Sequence, residues 1–89
     1  MWIITHDFLE GEVDQSNAVG VASRDFDESQ RHRLQHPFRM LDDDGELYYQ
    51  GLSDDACTEN ALAPLDDFGM GYAGCTEIHY LVNGVWNPI

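Results

Sequence analysis

Residues 76–87 read Thr-Glu-Ile-His-Tyr-Leu-Val-Asn-Gly-Val-Trp-Asn, and this segment is the clearest indication of the fold class. The apolar residues Ile78, Tyr80 and Val82 alternate with residues of the opposite face, which is the period-two pattern of a β-strand. Asn83-Gly84 then supplies the two residues that tolerate positive φ in a tight hairpin turn. The stretch therefore predicts an antiparallel hairpin.

A second hairpin is predicted over residues 38–51, with a four-residue turn at Asp42-Asp43-Asp44-Gly45. A type I turn favours aspartate at its first position and glycine at its fourth. A two-residue Asp44-Gly45 turn would set Asp43 opposite Glu46, and like charges across a strand pair cost stability. The longer turn instead pairs Phe38 with Tyr49, Met40 with Leu47, and, on the other face, Arg39 with Tyr48.

Two more strands are predicted near the start of the chain. Residues 2–9 alternate so that Trp2, Ile4, His6 and Phe8 share one face. A polar turn around Glu10-Gly11-Glu12 leads to a second predicted strand over residues 18–23.

Two short helices complete the predicted elements. The first lies within residues 25–35, where Asp27 and Arg31 are spaced as a helical i,i+4 pair. It ends before His36, because a proline disfavours helical backbone in the residue before it. The second lies within residues 53–63, capped by Ser53 or Asp54 and closed by Pro64, with an ordered loop over residues 65–74.

These elements predict one α+β domain over residues 1–89. It consists of a small antiparallel β-sheet or partly open barrel of five to six strands, with one or two short helices. The chain is 43% hydrophobic and 11% aromatic, which suffices for one core despite its acidity. The start has no basic flank, and no stretch approaches the roughly 20 apolar residues of a membrane helix. We therefore expect a cytoplasmic protein.

Charge is the strongest signal for function. Seventeen acidic residues face four arginines and no lysine, for a net charge of −13. All four arginines lie within residues 24–39, and residues 40–89 carry ten acids and no base. Such a surface repels nucleic acids and anionic membranes and attracts basic proteins. Solubility is the simpler explanation, although a net charge of about 2–8 in magnitude already serves that purpose.

Motifs of known chemistry do not account for the chain. Gly69-Met70-Gly71-Tyr72-Ala73-Gly74 spells GxGxxG but lacks the strand before it and the helix after it that a dinucleotide site needs. Asp42-Asp43-Asp44-Gly45-Glu46 does not fit an EF-hand, because the first and last positions of that loop would fall on Met40 and Gly51. No Walker A, GxSxG or HExxH motif occurs. We predict no enzyme activity, no cofactor and no metal.

Histidines and cysteines add little. His32 and His36 are four residues apart, but Pro37 disrupts the helical geometry that would bring them together. Cys57 and Cys75 match no zinc spacing, and the sequence does not decide whether they pair. Two reduced thiols are the expected state in the cytosol.

Residues 38–49, 63–69 and 73–78 resemble a set of short, acidic, uncharacterised bacterial proteins associated with proteobacteria and their mobile elements. That resemblance implies no activity and no site residue. In size and charge alone, the chain also resembles the anti-restriction and anti-CRISPR inhibitors that imitate DNA.

The sequence thus favours an acidic binding protein, in the form of a nucleic-acid-mimicking inhibitor that occupies a basic groove of a DNA- or RNA-handling host-defence protein. The alternatives are an immunity or regulatory partner of a basic toxin or enzyme, anchored by aromatic residues, and a housekeeping protein whose acidity serves solubility. We expect no direct contact with nucleic acid or membrane. The predicted partner-binding residues are Asp42, Asp43, Asp44, Glu46, Asp54, Asp55, Asp66, Asp67, Tyr48 and Trp86.

Overall fold

Five β-strands and three short helices follow one another in the computed structural model, which describes residues 1–8 and 19–89, without the side chains of Tyr72 and Ala73. The helices are two 3-10 helices, Glu28–Arg33 and Glu59–Leu62, and a π-helix, Leu65–Ala73. The strands are β1 (Trp2–Asp7), β2 (His36–Leu41), β3 (Leu47–Ser53), β4 (Glu77–Val82) and β5 (Val85–Pro88).

The strands form one open antiparallel sheet in the order β1-β3-β2-β4-β5. The predicted antiparallel sheet with a small helical part is confirmed. The predicted strand over residues 18–23 is wrong in its described part, because that segment forms only an isolated bridge between Ala22 and Ile3. Its backbone nevertheless follows the outer edge of β1, where the Ile4 N–H donates to the Val21 carbonyl at 2.8 Å. Leu9, the predicted turn at residues 10–12 and Ala18 lie outside the described residues.

The second and third helices cover one face of the sheet, and the core lies between this face and the two helices. Phe38 and Tyr80 are fully buried, and their rings meet at 5.7 Å between centroids. Two glycines allow close packing, Gly69 between a helix and the sheet and Gly51 between neighbouring strands. A Cβ atom on Gly69 would lie 2.5 Å from Met40 Sδ, and one on Gly51 would lie 2.6 Å from Phe38 Cζ. The core cluster consists of Trp2, Ile4, Phe38, Met40, Tyr49, Ala61, Leu65, Phe68, Cys75, Ile78 and Tyr80.

The Asn83-Gly84 hairpin has the predicted geometry. Both turn residues have positive φ, 52° and 80° respectively, and Val82 pairs with Val85 across the turn. Ile78 and Tyr80 face the core, as the alternation predicts. This hairpin could be read from local sequence because a two-residue turn with positive φ at both positions admits one register.

The hairpin between β2 and β3 turns where predicted, but the predicted pairing is wrong. Met40 pairs with Tyr49, Arg39 with Gln50 and Phe38 with Gly51. The Gly45 N–H donates to the Asp42 carbonyl, Gly45 takes a φ of 81°, and the chain re-enters the sheet at Leu47. This is a type I turn followed by a left-handed glycine, which shifts the register by adding a residue to one strand.

A bulge next to this turn completes the shift. Leu41 pairs with Leu47, whereas the preceding Met40 pairs with Tyr49, so that Tyr48 has no partner in the ladder. An extra residue on one strand moves all later residues to new partners. A similar irregularity between Ile4 and His6 in β1 interrupts the predicted common face, since Trp2 and Ile4 are buried while His6 and Phe8 are exposed.

The first helix spans a shorter segment than predicted and uses a different ion pair. Asp27 is not the partner of Arg31 but the N-cap, whose carboxylate accepts from the Ser29 N–H at 3.0 Å. Arg31 pairs with Glu28 at 2.8 Å. A 3-10 helix has three residues per turn, so residues at i and i+3 align and those at i and i+4 do not.

A short helix does lie within residues 53–63, but its predicted cap, its predicted end at Pro64 and the predicted loop after it are wrong. Helical structure begins at Glu59, with Thr58 as N-cap, and it continues past Pro64. Pro64 adopts φ −58° and ψ −38°, and a proline in the first turn of a helix removes only an N–H that has no helical partner. Residues 65–73, predicted as a loop, therefore form the π-helix, which ends at Gly74 with φ 78°.

Candidate functional site

The acidic turn, residues 42–46, is organised by its first carboxylate. Asp42 Oδ1 accepts from the Asp44 N–H at 2.9 Å and from the Glu46 N–H at 2.8 Å. The hydrogen bond from the Glu46 N–H lowers the pKa of Asp42, partial burial opposes it, and a hydrogen bond from the Tyr48 hydroxyl lowers it further. Asp42 is 9% exposed, whereas Asp43, Asp44 and Glu46 are exposed. Asp42 thus folds the turn, and the other three face solvent.

Tyr48, a predicted contact residue, belongs to the same turn. Its half-buried side chain packs against the core. The interaction of its hydroxyl with the Asp42 carboxylate is the main reason that the pKa of Tyr48 is raised, and burial adds to it. Tyr48 is thus partly used in packing within the protein, which restricts its use as an independent anchor for a partner.

Asp55 organises the other end of β3. Its Oδ1 accepts from the Cys57 N–H at 2.8 Å and the Thr58 N–H at 3.0 Å, and its Oδ2 accepts from the Thr58 hydroxyl. The hydrogen bond from the Thr58 side chain and those from the two N–H groups lower the pKa of Asp55 to about 2. Asp55 is therefore ionised at neutral pH and engaged in holding the chain between β3 and the helix at Glu59–Leu62.

A second acidic group, which we call the terminal group, consists of Asp25, Asp54 and Asp67. These residues line a cavity of about 290 Å³ beside Met1. The α-amino group of Met1 lies 3.2 Å from Asp54 Oδ1 and 3.6 Å from Asp25 Oδ2. A hydrogen bond from Ser23, followed by the attraction of the α-amino group, lowers the pKa of Asp25. The carboxylates of Asp25 and Asp54 thus both lie next to this amino group.

A larger cavity of about 590 Å³ adjoins the terminal group. Trp2 and Phe68 contribute aromatic walls, and Arg24, Asp25 and Asp67 contribute charges. The Trp2 indole Nε1 is buried without a hydrogen-bond acceptor in the described part of the chain. Asp66, next to Asp67, is exposed in the first turn of the π-helix.

The predicted contact residues thus fall into three places. Asp42, Asp43, Asp44, Glu46 and Tyr48 lie at one end of β3, and Asp54 and Asp55 lie at the other. The seven residues of β3 separate these ends by roughly 23 Å at the rise of an extended strand. Asp67 joins Asp54 in the terminal group. Trp86 lies apart on β5, where its half-buried ring is covered by the Arg39 guanidinium at 4.6 Å.

Sequence reasoning missed two residues of interest. Asp25 joins the terminal group only because residues 20–23 run along the edge of β1, a long-range placement that no local pattern carries. Arg39 does not pair with Tyr48, as predicted, but lies between Gln50 and His79 in the sheet. Arg39 is the one arginine that falls within a predicted strand, and this is the signal in the sequence that could have identified it.

Within residues 1–8 and 19–89, one cluster of potential metal ligands occurs. The carboxylates of Asp42, Asp43 and Asp44 lie within 4.8 Å of one another. Their proximity follows from the turn, because Asp42 is held there by two backbone N–H groups. Cys57 is exposed and Cys75 is buried, and neither forms a disulfide. Burial raises the pKa of Cys75 to about 12, so its thiol is protonated and packs as a small apolar group.

Comparisons with protein families, curated proteins and solved structures find no match to this chain. No helix in the part of the chain that the structure describes has the length and apolar character needed to cross a bilayer.

Proposed function

We propose that this protein binds a basic surface of a partner protein through its exposed carboxylates, as a nucleic-acid mimic that occupies the Lys- and Arg-lined groove of a DNA- or RNA-handling protein. One observation carries this proposal. Six acidic residues are exposed around the two ends of β3 and in the first turn of the π-helix, in a half of the chain that contains no lysine or arginine. These residues are Asp43, Asp44, Glu46, Asp54, Asp66 and Asp67.

The geometry refines how such a contact would work. Proteins that bind DNA meet its line of phosphates with arginine and lysine at several points. The acidic turn and the terminal group give two points of negative charge, separated by roughly the length of β3. A partner that meets both at once needs basic side chains at a similar separation. Long-range attraction would also speed association, since net charge steers encounter between proteins.

Asp42 and Asp55 have a different role in this proposal. Both carboxylates accept hydrogen bonds from the backbone, so replacing them perturbs the fold as well as the charge. A test of binding must therefore leave both residues in place.

The test is capture of partners from host lysate at low salt, followed by measurement of the affinity of the captured protein for matched variants. Asp43→Asn/Asp44→Asn removes two exposed charges from the acidic turn. Glu59→Gln/Glu77→Gln removes two exposed charges outside the acidic turn and is the control for net charge. We expect the turn variant to bind more weakly than the control at low salt, with a difference that shrinks as salt screens exposed charges.

Equal affinities of the two variants would show that overall charge, and not the acidic turn, governs binding. An affinity that does not change with salt would contradict the proposal. It would favour the alternative of an immunity or regulatory partner, in which buried aromatic contacts supply the affinity. In that case Trp86→Ala would weaken binding equally at low and high salt.

A further inference from the structure

The face of the sheet opposite the core carries an arginine with unusual surroundings. Phe38 and Met40 turn into the core, and the alternation of β2 therefore places Arg39 on the other face. Gln50 of β3 and His79 of β4 lie directly beside it in the ladder. The Trp86 ring of β5 stacks on the guanidinium, with 4.6 Å between Cζ and the ring centroid.

None of the N–H groups of Arg39 meets an acceptor within residues 1–8 and 19–89. The Nε atom is buried without a hydrogen-bond partner, and the ion pairs of these residues do not include Arg39. Arg31, in contrast, forms a two-bond pair with Glu28. A buried donor left without an acceptor is costly, and in native proteins it requires an explanation. The chain has seventeen acids, so their scarcity does not account for it.

The acids within the strands are few and directed elsewhere. Asp7 lies opposite Tyr49, whose side chain belongs to the core. Glu77 lies opposite Leu41, and its carboxylate approaches His79 Nε2 at 3.4 Å. Among the described residues, the half-buried Pro37, Leu52 and Leu81 are apolar neighbours on this face.

We propose that Arg39, positioned over the Trp86 ring, binds a carboxylate on an acidic side chain of an otherwise apolar partner peptide. A partner cannot reach the buried Nε, so the contact uses the two terminal Nη groups, whose planar fork matches a carboxylate with two parallel hydrogen bonds. Stacking on the aromatic ring orients that fork. The half-buried apolar residues around it offer contacts to the neighbouring side chains of such a peptide.

The net charge selects a single carboxylate over other anions. A chain of net charge −13 repels a nucleic acid or a multiply charged phosphate at long range, and a peptide with one acid is repelled least. This site is independent of the acidic groups, because it lies on a different face and takes the opposite charge.

The experiment is an NMR titration of the ¹⁵N-labelled protein, following the Arg39 Nε–H and Trp86 Nε1–H resonances. The probes are the capped peptide acetyl-Leu-Glu-Leu-amide, the same peptide with Gln in place of Glu, and inorganic phosphate. We expect the Glu peptide to shift both resonances and to bind about tenfold more tightly than the Gln peptide. Arg39→Gln should remove this preference, whereas Arg31→Gln should leave it unchanged. Glu77→Gln should strengthen binding, since it removes the acid nearest to the site on this face.

Equal binding of the two peptides, no shift with either, or tighter binding of phosphate than of the Glu peptide would overturn the proposal. The comparison of probes uses the wild-type protein, so it decides the question even if Arg39→Gln does not fold.

Discussion

The two ends of β3 use the same chemistry to redirect the chain. At each end, one aspartate accepts hydrogen bonds from two backbone N–H groups. Asp42 accepts from the N–H groups of Asp44 and Glu46. Asp55 binds the N–H groups of Cys57 and Thr58 and the hydroxyl of Thr58. The first arrangement folds a hairpin, and the second ends a strand and leads into a helix.

The two ends differ in their access to water. Asp42 is 9% exposed and its hydrogen bonds are partly buried, whereas the hydrogen bonds of Asp55 are exposed. Water can therefore replace many of the hydrogen bonds that Asp55 accepts. It cannot easily reach the N–H groups that donate to Asp42. Similar carboxylates in an acidic protein therefore have different roles. The role of each depends on the hydrogen-bond donors that it meets and on how well water can replace the carboxylate.

The largest expected effect lies between the two ends, in β3 itself. Gly51→Ala would place a Cβ atom on the carbonyl oxygen of Ile3 and 2.6 Å from Phe38 Cζ. Backbone cannot move aside as a flexible side chain can, so we expect a loss of about 3 kcal/mol or more in the free energy of unfolding, measured with urea. Gly71→Ala is the control, because its Cβ atom meets nothing within 4 Å. A Gly51→Ala variant as stable as this control would show that β1 and β3 do not approach as closely as described.

The register around this glycine also marks the limit of prediction from sequence. The Asn83-Gly84 hairpin was predicted correctly because its turn fixes the pairing of the flanking residues. The position of the acidic turn was predicted as well, but the pairing of β2 with β3 was not. A bulge at Tyr48 depends on contacts across the sheet, and the alternation of Phe38, Met40, Leu47 and Tyr49 is equally compatible with both registers.

The candidate site was predictable in composition and not in arrangement. The ten predicted residues include the six exposed acids around the ends of β3, but local sequence does not reveal that Asp42 and Asp55 are engaged by backbone N–H groups. It also does not reveal that Asp25 approaches Asp54 and Asp67, since these residues are far apart in the chain. The helix at residues 65–73 was not predicted because Pro64 was taken as the end of a helix. A proline can stand at the first position of a helix as well as after the end of one.

The next largest effect distinguishes the carboxylates within the acidic turn. Asp42→Ala should lower the Tm by several degrees, because it leaves the partly buried N–H groups of Asp44 and Glu46 without an acceptor. Asp42→Asn should lower it less, since the amide oxygen can still accept both bonds. Asp43→Ala, at an exposed neighbouring position, should change it little. Equal losses for Asp42→Ala and Asp43→Ala in thermal unfolding would contradict the role assigned to Asp42.

A smaller effect is expected at Asp55, and it depends on pH. The pKa of Asp55 is about 2 in the folded protein, below its ordinary value of 3.8. A lowered pKa means that ionised Asp55 stabilises the fold above pH 3.8 and that this contribution is lost as the pH falls from 3.8 towards 2. Asp55→Asn should therefore be less stable than wild type at neutral pH, and the difference should shrink on acidification through this range. Urea unfolding of both proteins across the same pH values is the measurement, and a constant difference would contradict it.

The smallest effect is expected for the exposed acids, where the two ends of β3 should behave alike. Asp43→Asn/Asp44→Asn/Glu46→Gln keeps the turn, because asparagine suits turn positions and Asp42 still accepts both N–H groups. Removing three like charges from a protein of net charge −13 relieves repulsion, so stability should rise by about 0.5 kcal/mol or less. Asp66→Asn/Asp67→Asn should give a gain of the same sign at the other end. Salt screens exposed charges, so both gains should shrink in urea unfolding at high ionic strength.

A loss of stability at either end would mean that these acids, like Asp42 and Asp55, stabilise the fold. They would then be poor candidates for a surface that binds a partner.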